Sequence, residues 1–153
     1  MTHSIAGAFG KKYLYRTWGE VEVGQALPEV RMPISYRRVV QMTVATRDFF
    51  PGHHNREYAR NQGVDDIYLN TMTYHGLIDR YVLEWAGPES FLRKRSMRMG
   101  PSICAGDEVV MNGRVTAKER EGEHGLVVVE MVVANRAGVP CCPATVRLWM
   151  PDQ

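Results

Sequence analysis

Several marks of common protein classes are missing from this chain. Cysteine is scarce: three in 153 residues, Cys104 and the adjacent pair Cys141–Cys142, with no C-x-x-C spacing. Neighbouring Cα atoms lie about 3.8 Å apart, too close for the usual disulfide. The thiols therefore read as reduced and packed, as in a reducing compartment. No apolar run approaches the roughly 20 residues of a spanning helix. The opening stretch, "MTHSIAGAFGKKYLYR", lacks the charged-then-apolar order of a signal peptide. A cytoplasmic location away from the membrane is expected. Charge of one sign is missing too: the formal net charge is +2, which gives no electrostatic case for nucleic acid. There is no G-x-G-x-x-G, no G-x-x-x-x-G-K-[ST] and no G-x-S-x-G, so dinucleotide, P-loop and nucleophile-elbow readings have no support. His54-x-x-Glu57 matches no metal-ligand spacing, and no metal is expected. Internal repeats and low-complexity linkers are absent as well.

What remains is an ordinary globular composition, 44% hydrophobic and 24% charged, with length for one well-cored domain. Residues 1–20 read as an arm of little periodicity, frayed or packed on a partner, and 21–153 as the domain. "VEVGQALPEV" predicts a short strand broken by Gly24 and Pro28. Ser35 predicts the cap of a helix through "YRRVVQMTVATR", and Asn55 the cap of another through "NREYARNQG". The strongest helix is "NTMTYHGLIDRYVLEWAGP". Tyr74, Leu77, Ile78, Tyr81, Val82 and Trp85 form one apolar stripe, Asn70 can cap its start, and Gly87–Pro88 stops it. Gly76 leaves room there for a close approach. From about Arg95 onward the chain reads as strands: Val127, Val129, Met131 and Val133 share a face, and "ATVRLWM" alternates. Helices first and a meander after make the class α+β, one long helix packed across an antiparallel sheet.

The chemistry concentrates in "RDFFPGHHNREYA", residues 47–59. Asp48 and His53 flank Pro51, which fixes its own φ and restricts Phe50. A loop so stiffened can hold a carboxylate and an imidazole on one water molecule, and histidine moves protons near neutral pH. The spacing alone equally allows a helix cap beside a surface histidine.

Asp48-x-x-Pro51-x-His53, with Ala59 after five intervening residues, resembles the signature of the MaoC-like, or R-specific, enoyl-CoA hydratases. The order of elements around it and "GPSICAGDEVVMNGRV" are similar as well, over roughly residues 20–150. "ATRDF", the paired histidines and "GLIDRY" with "EWAGP" resemble the small subunit of actinobacterial steroid-side-chain enoyl-CoA hydratases. That subunit works beside a second MaoC-like chain. The resemblance implies a hot-dog fold, with the sheet wrapped around the long helix. It implies that Asp48 and His53 activate a water that adds syn across a trans-2-enoyl thioester, or in reverse dehydrate an R-3-hydroxyacyl thioester. It implies an enolate held by a backbone N–H of Asn70 or Thr71 at the helix N-terminus, where such groups favour negative charge. Phe50 replaces the family's asparagine and, with Met72, is expected to line the acyl group. Arg98, in "RKRSMR", is expected to reach the phosphates of coenzyme A, which enters as part of the substrate; no separate cofactor is implied.

Two other readings stay open: a non-catalytic hot-dog subunit that shapes the acyl tunnel for a partner, and a hot-dog thioesterase. A homodimer and a heterodimer with a second MaoC-like chain both fit. His54 is expected to point to solvent or to a supporting place behind the pair, and His75 to be a satisfied buried or interface histidine rather than a catalyst.

Overall fold

Alternation of apolar and polar residues in the C-terminal half becomes the sheet of this computed structural model, which describes residues 3–6 and 12–152. Strands β3 (Ala26–Pro33), β4 (Phe91–Met97), β5 (Glu108–Glu121), β6 (His124–Ala134) and β7 (Pro140–Met150) form one antiparallel sheet in the order β3-β5-β6-β7-β4. In β7, Ala144, Val146, Leu148 and Met150 are buried while Thr145, Arg147 and Trp149 are partly exposed, as a period of two requires.

Two boundaries differ from expectation. β4 begins at Phe91 rather than near Arg95, because Phe91 pairs with Trp149 at a ring distance of 5.5 Å and Arg93 lies over the same indole. β3 begins at Ala26, after Gly24 has turned the chain, and runs through Pro28 instead of breaking there. The pairing slips between Leu27 and Val30, and β3 is a sheet edge, where a missing N–H leaves no ladder bond unmade.

Helices α1 (Tyr36–Thr46) and α2 (Arg56–Asn61) begin at the expected caps: Ser35 Oγ accepts from the Arg38 N–H and Asn55 Oδ1 from the Tyr58 N–H. Helix α3 (Thr71–Ala86) lies across the sheet against β3, β4 and β7. All six residues of its apolar stripe are buried. Two phenols pin it: Tyr74 accepts from the Ile103 N–H, and Tyr81 donates to the Pro28 carbonyl at 2.9 Å. A sheet packed around one long helix is the expected α+β hot-dog arrangement.

The arm departs from expectation. Strands β1 (His3–Ala6) and β2 (Lys12–Tyr15) pair antiparallel, and the segment after them packs on its own domain. The Arg16 N–H donates to the Ala86 carbonyl and its guanidinium to the Trp85 carbonyl, both at 2.9 Å. A cation there complements the negative end of α3. Trp18 donates to the Leu126 carbonyl and lies between Lys118 and Arg120, each 4.2 Å from its ring centre. The end of the arm, at Arg16 and Trp18, is thus tied to this chain; residues 1, 2 and 7–11 lie outside the described residues. Cys141 and Cys142 are buried, Cys104 is half-buried, and all three are free thiols, their pKa values raised by burial.

Candidate active site

α1 ends at Arg47, a non-glycine residue in the left-handed region at φ 57. For a residue with a Cβ this conformation costs about 1 kcal/mol, and it swings Asp48 off the helix. The Asp48 N–H still reaches back to the Thr43 carbonyl at 3.3 Å. Pro51 then opens a single 3₁₀ turn, Pro51–His53, closed by the His53 N–H on the Phe50 carbonyl at 3.0 Å. This turn brings the imidazole back toward the carboxylate, so that His53 Nε2 lies 3.5 Å from Asp48 Oδ2.

The environment of His53 selects its tautomer. Its Nδ1 is 2.8 Å from the Tyr68 carbonyl, an acceptor only, so Nδ1 carries the proton and Nε2 presents a lone pair toward Asp48 in the neutral ring. The His53 side chain is 8% exposed and that of Asp48 is 37% exposed, so one face of the pair is open. Tyr68 also stacks its ring edge-on to the imidazole at 4.9 Å. Gly52 allows this packing: a Cβ there would fall 2.5 Å from the Tyr68 phenol oxygen. Burial pushes the Tyr68 phenol up, so it stays protonated and donates to Gln62. Beneath, the Thr43 hydroxyl lies within reach of the Val39 and His53 carbonyls, at 3.0 and 3.2 Å.

The start of α3 is tied to the same loop. Asn70 is buried; its Oδ1 accepts from the Thr73 N–H at 2.9 Å and the Thr73 hydroxyl at 2.6 Å, and its Nδ2 donates to Thr46 Oγ1 at 2.5 Å. With the Thr73 N–H so capped, the N–H groups of Thr71 and Met72 are the first-turn donors for which α3 supplies no acceptor. Both residues are exposed.

Most of the sequence-predicted residues therefore converge. Asp48, His53 and Phe50 share the loop, and the Tyr68 and Asn70 bonds fasten that loop to the segment carrying Thr71 and Met72. Phe50 sits 5.5 Å from the His53 ring and packs edge-on to Tyr58, with 41% of its surface exposed; Phe49 and Met72 are more exposed still, at 61% and 56%. The loop and the start of α3 thus present exposed apolar side chains. Arg98 follows the edge strand β4 and lines a groove of about 410 Å³ with Met97, Glu130, Met131 and Thr145, outside the loop. His54 turns away, as expected, with Nε2 3.0 Å from the Phe49 carbonyl. Tyr68, Thr43 and Thr46 escaped sequence reasoning. The first acts through a backbone carbonyl that every residue type possesses; the two threonines, one helical turn apart at the end of α1, carried only a spacing.

Comparison with known proteins follows this geometry. The family model described as "FAS1-like, dehydratase domain region" matches residues 22–144. The beta subunit of 3-oxo-4,17-pregnadiene-20-carboxyl-CoA hydratase from Mycobacterium tuberculosis is 39% identical over 130 residues, covering 85% of this chain and 97% of that subunit. In the crystal structure of the ChsH1–ChsH2 complex from the same organism, one chain superposes with a TM-score of 0.78 at 38% identity, covering 85% of this chain and 98% of that one. The unliganded R-hydratase of Pseudomonas aeruginosa shares the fold, with a TM-score of 0.80 at 21% identity over 90% of this chain and 86% of its own.

Proposed function

This chain belongs to the FAS1-like dehydratase domain family, and from that premise we propose that it hydrates trans-2-enoyl-CoA thioesters to R-3-hydroxyacyl-CoA, or runs the reverse dehydration. The observation that carries the reading is the pairing of His53 Nε2 with Asp48 while Nδ1 is committed to the Tyr68 carbonyl. A water held between Nε2 and the carboxylate gives its proton to His53 as its oxygen bonds to C3 of the enoyl group. The alkene electrons move toward C2 and the thioester oxygen, which the N–H groups of Thr71 and Met72 hold as an enolate. The proton on His53 then passes to C2 from the same face, so addition is syn and the imidazole returns to its starting form. Asp48 orients the water and supports the transient imidazolium. Dehydration retraces these steps.

The exposed apolar side chains of Phe49, Phe50 and Met72 support a bulky acyl chain, as does the pregnadiene-carboxyl thioester named for the M. tuberculosis relative. Because that relative's counterpart was crystallised as a two-chain complex, we propose the same assembly here: a second hot-dog chain covers these side chains. Coenzyme A enters as the substrate's handle.

Loss of enoyl-thioester absorbance tests the reading, measured on trans-2-enoyl-CoA substrates of increasing bulk with the chain alone and with a co-expressed second MaoC-like chain. Asp48→Asn and His53→Ala are each expected to lose at least ~10²-fold in kcat with folding intact, the scale of a missing proton-transfer group. Hydration undiminished in both variants would falsify the assignment. Thiol released while the alkene persists would mean a thioesterase. Inactivity of this chain with every partner, beside activity of the partner alone, would leave it a structural subunit.

A further inference from the structure

We propose that Thr46 and Asn70 form a positioning clamp that sets the distance between the acid–base pair and the enolate-holding end of α3; this rests on the hydratase reading above. Thr46 is two residues before Asp48, and Asn70 is the residue before Thr71. The single bond from Asn70 Nδ2 to Thr46 Oγ1, 2.5 Å long, joins two halves of the site that are 24 residues apart in the chain. Neither side chain offers substrate a free polar atom in this arrangement: Asn70 is 2% exposed with Oδ1 and Nδ2 both bonded, and the Thr46 hydroxyl is held between Asn70 and the Met42 carbonyl.

The bonding of each partner makes the clamp stiff. Thr46 Oγ1 donates to the Met42 carbonyl at 2.8 Å, which fixes its lone pairs for the amide. Asn70 Oδ1 holds both the N–H and the hydroxyl of Thr73, so the amide plane cannot turn without uncapping α3. A buried amide whose oxygen accepts two bonds and whose nitrogen donates one is held in place, because turning it breaks all three. Without the clamp, the bond to the Tyr68 carbonyl still holds the imidazole, and the Thr43 hydroxyl the His53 backbone carbonyl. What is released is the carboxylate end of the loop relative to the Thr71 and Met72 N–H groups. The clamp therefore acts on the transition state, where carboxylate, water and enolate must be in register at once, more than on substrate binding.

The test is Thr46→Val, which keeps shape and branching but removes the acceptor, beside Thr46→Ser, which restores the hydroxyl. In the form of the protein that hydrates enoyl-CoA, Thr46→Val is expected to lower kcat ~10- to 100-fold, the scale of a displacement of about 1 Å at a reacting centre. KM should stay within about twofold and the midpoints of the pH–rate profile should not move, while Thr46→Ser keeps nearly wild-type kcat. Amide hydrogen exchange should quicken in Thr46→Val both in residues 47–53 and in residues 71–74, a readout independent of turnover. Wild-type kcat in Thr46→Val, a Ser variant as slow as Val, a shifted pH profile, or quickened exchange confined to one segment each overturns the clamp. Failure of the hydratase reading has a different signature: no hydration in the wild type, with the exchange result still deciding whether the clamp exists.

Discussion

A single histidine shows how little of a residue's role lies in its identity. Five are present, and His53 and His54 are neighbours, yet one faces Asp48 and the other lies against the Phe49 carbonyl. The 3₁₀ turn at Pro51 makes that choice, because it buries one ring and leaves the next outside. His75 is a third case. Its Nδ1 is buried without a hydrogen-bond partner among the described residues, and burial first, then the Arg95 cation, lowers its pKa below the ordinary 6.5. Arg95 is held there by an ion pair with Asp79 and by the His75 carbonyl. A histidine with a lowered native pKa binds fewer protons folded than unfolded, so its contribution falls as pH drops below about 6.5. The midpoint of thermal unfolding is therefore expected to rise with pH up to about 6.5 more steeply in the wild type than in His75→Gln. Equal slopes in the two proteins would remove His75 from the linkage. Phe50 carries a different expectation: Phe50→Asn, which installs the asparagine of the signature this loop resembles, should raise KM for the bulkiest acyl-CoA substrates more than for short ones, measured as the ratio of kcat/KM across a chain-length series.

Among the elements, α3 organises both core and site. Its stripe of buried residues fixes its rotation about its own axis, and that rotation sets the direction of its N-terminal N–H groups. Its far end is closed by Gly87, at φ +96, where a Cβ would fall 2.4 Å from the Tyr15 Cα. Gly87→Ala has both a strained backbone and a backbone clash against it, and should cost roughly 2–3 kcal/mol in denaturant unfolding. Gly76 is the opposite case. It is exposed, and a Cβ there meets nothing within 4 Å. Gly76→Ala should therefore stabilise the isolated chain by up to about 1 kcal/mol through helix propensity alone. If a second chain packs on this face, the same variant should weaken association, which titration by sedimentation would report.

For the whole molecule, the notable feature is how unfinished the site's surroundings are in one chain. Asp48 is a third exposed, and Phe49 and Phe50 on its loop and Met72 at the start of α3 are exposed apolar side chains of the kind that mark an interaction surface. The sheet also ends in β4, an edge strand bearing Arg93, Lys94 and Arg95, the kind of charge that discourages indiscriminate edge pairing. On the proposed reading, a second hot-dog chain over these side chains would exclude water from the enolate and complete the acyl pocket. Phe49→Asp should accordingly leave the unfolding midpoint of the isolated chain nearly unchanged, yet shift the sedimenting species toward the monomer; an unchanged assembly would place the interface elsewhere.

By itself the sequence determined the elements and pointed to Asp48 and His53 as the candidate pair. Periodicity marked α3 and β7, side-chain caps marked the starts of α1, α2 and α3, and Asp48-x-x-Pro51-x-His53 marked the loop. All of these are local: they depend on residues a turn or a strand apart, and their physics is visible in spacing. The tertiary structure decided the rest. The β3 edge let Pro28 lie within a strand, Trp149 drew β4 back to Phe91, and the end of α3 gave the arm its anchor. The tautomer of His53 was settled by a carbonyl 15 residues away, and the tie between the loop and α3 by an amide reaching 24 residues back to a threonine. Arg98 was separated from the loop because β4 carries it to the sheet edge. Such bonds join residues that no pattern in the chain relates; they exist only once packing has brought a particular donor within reach of a particular acceptor and excluded the water that would otherwise serve both.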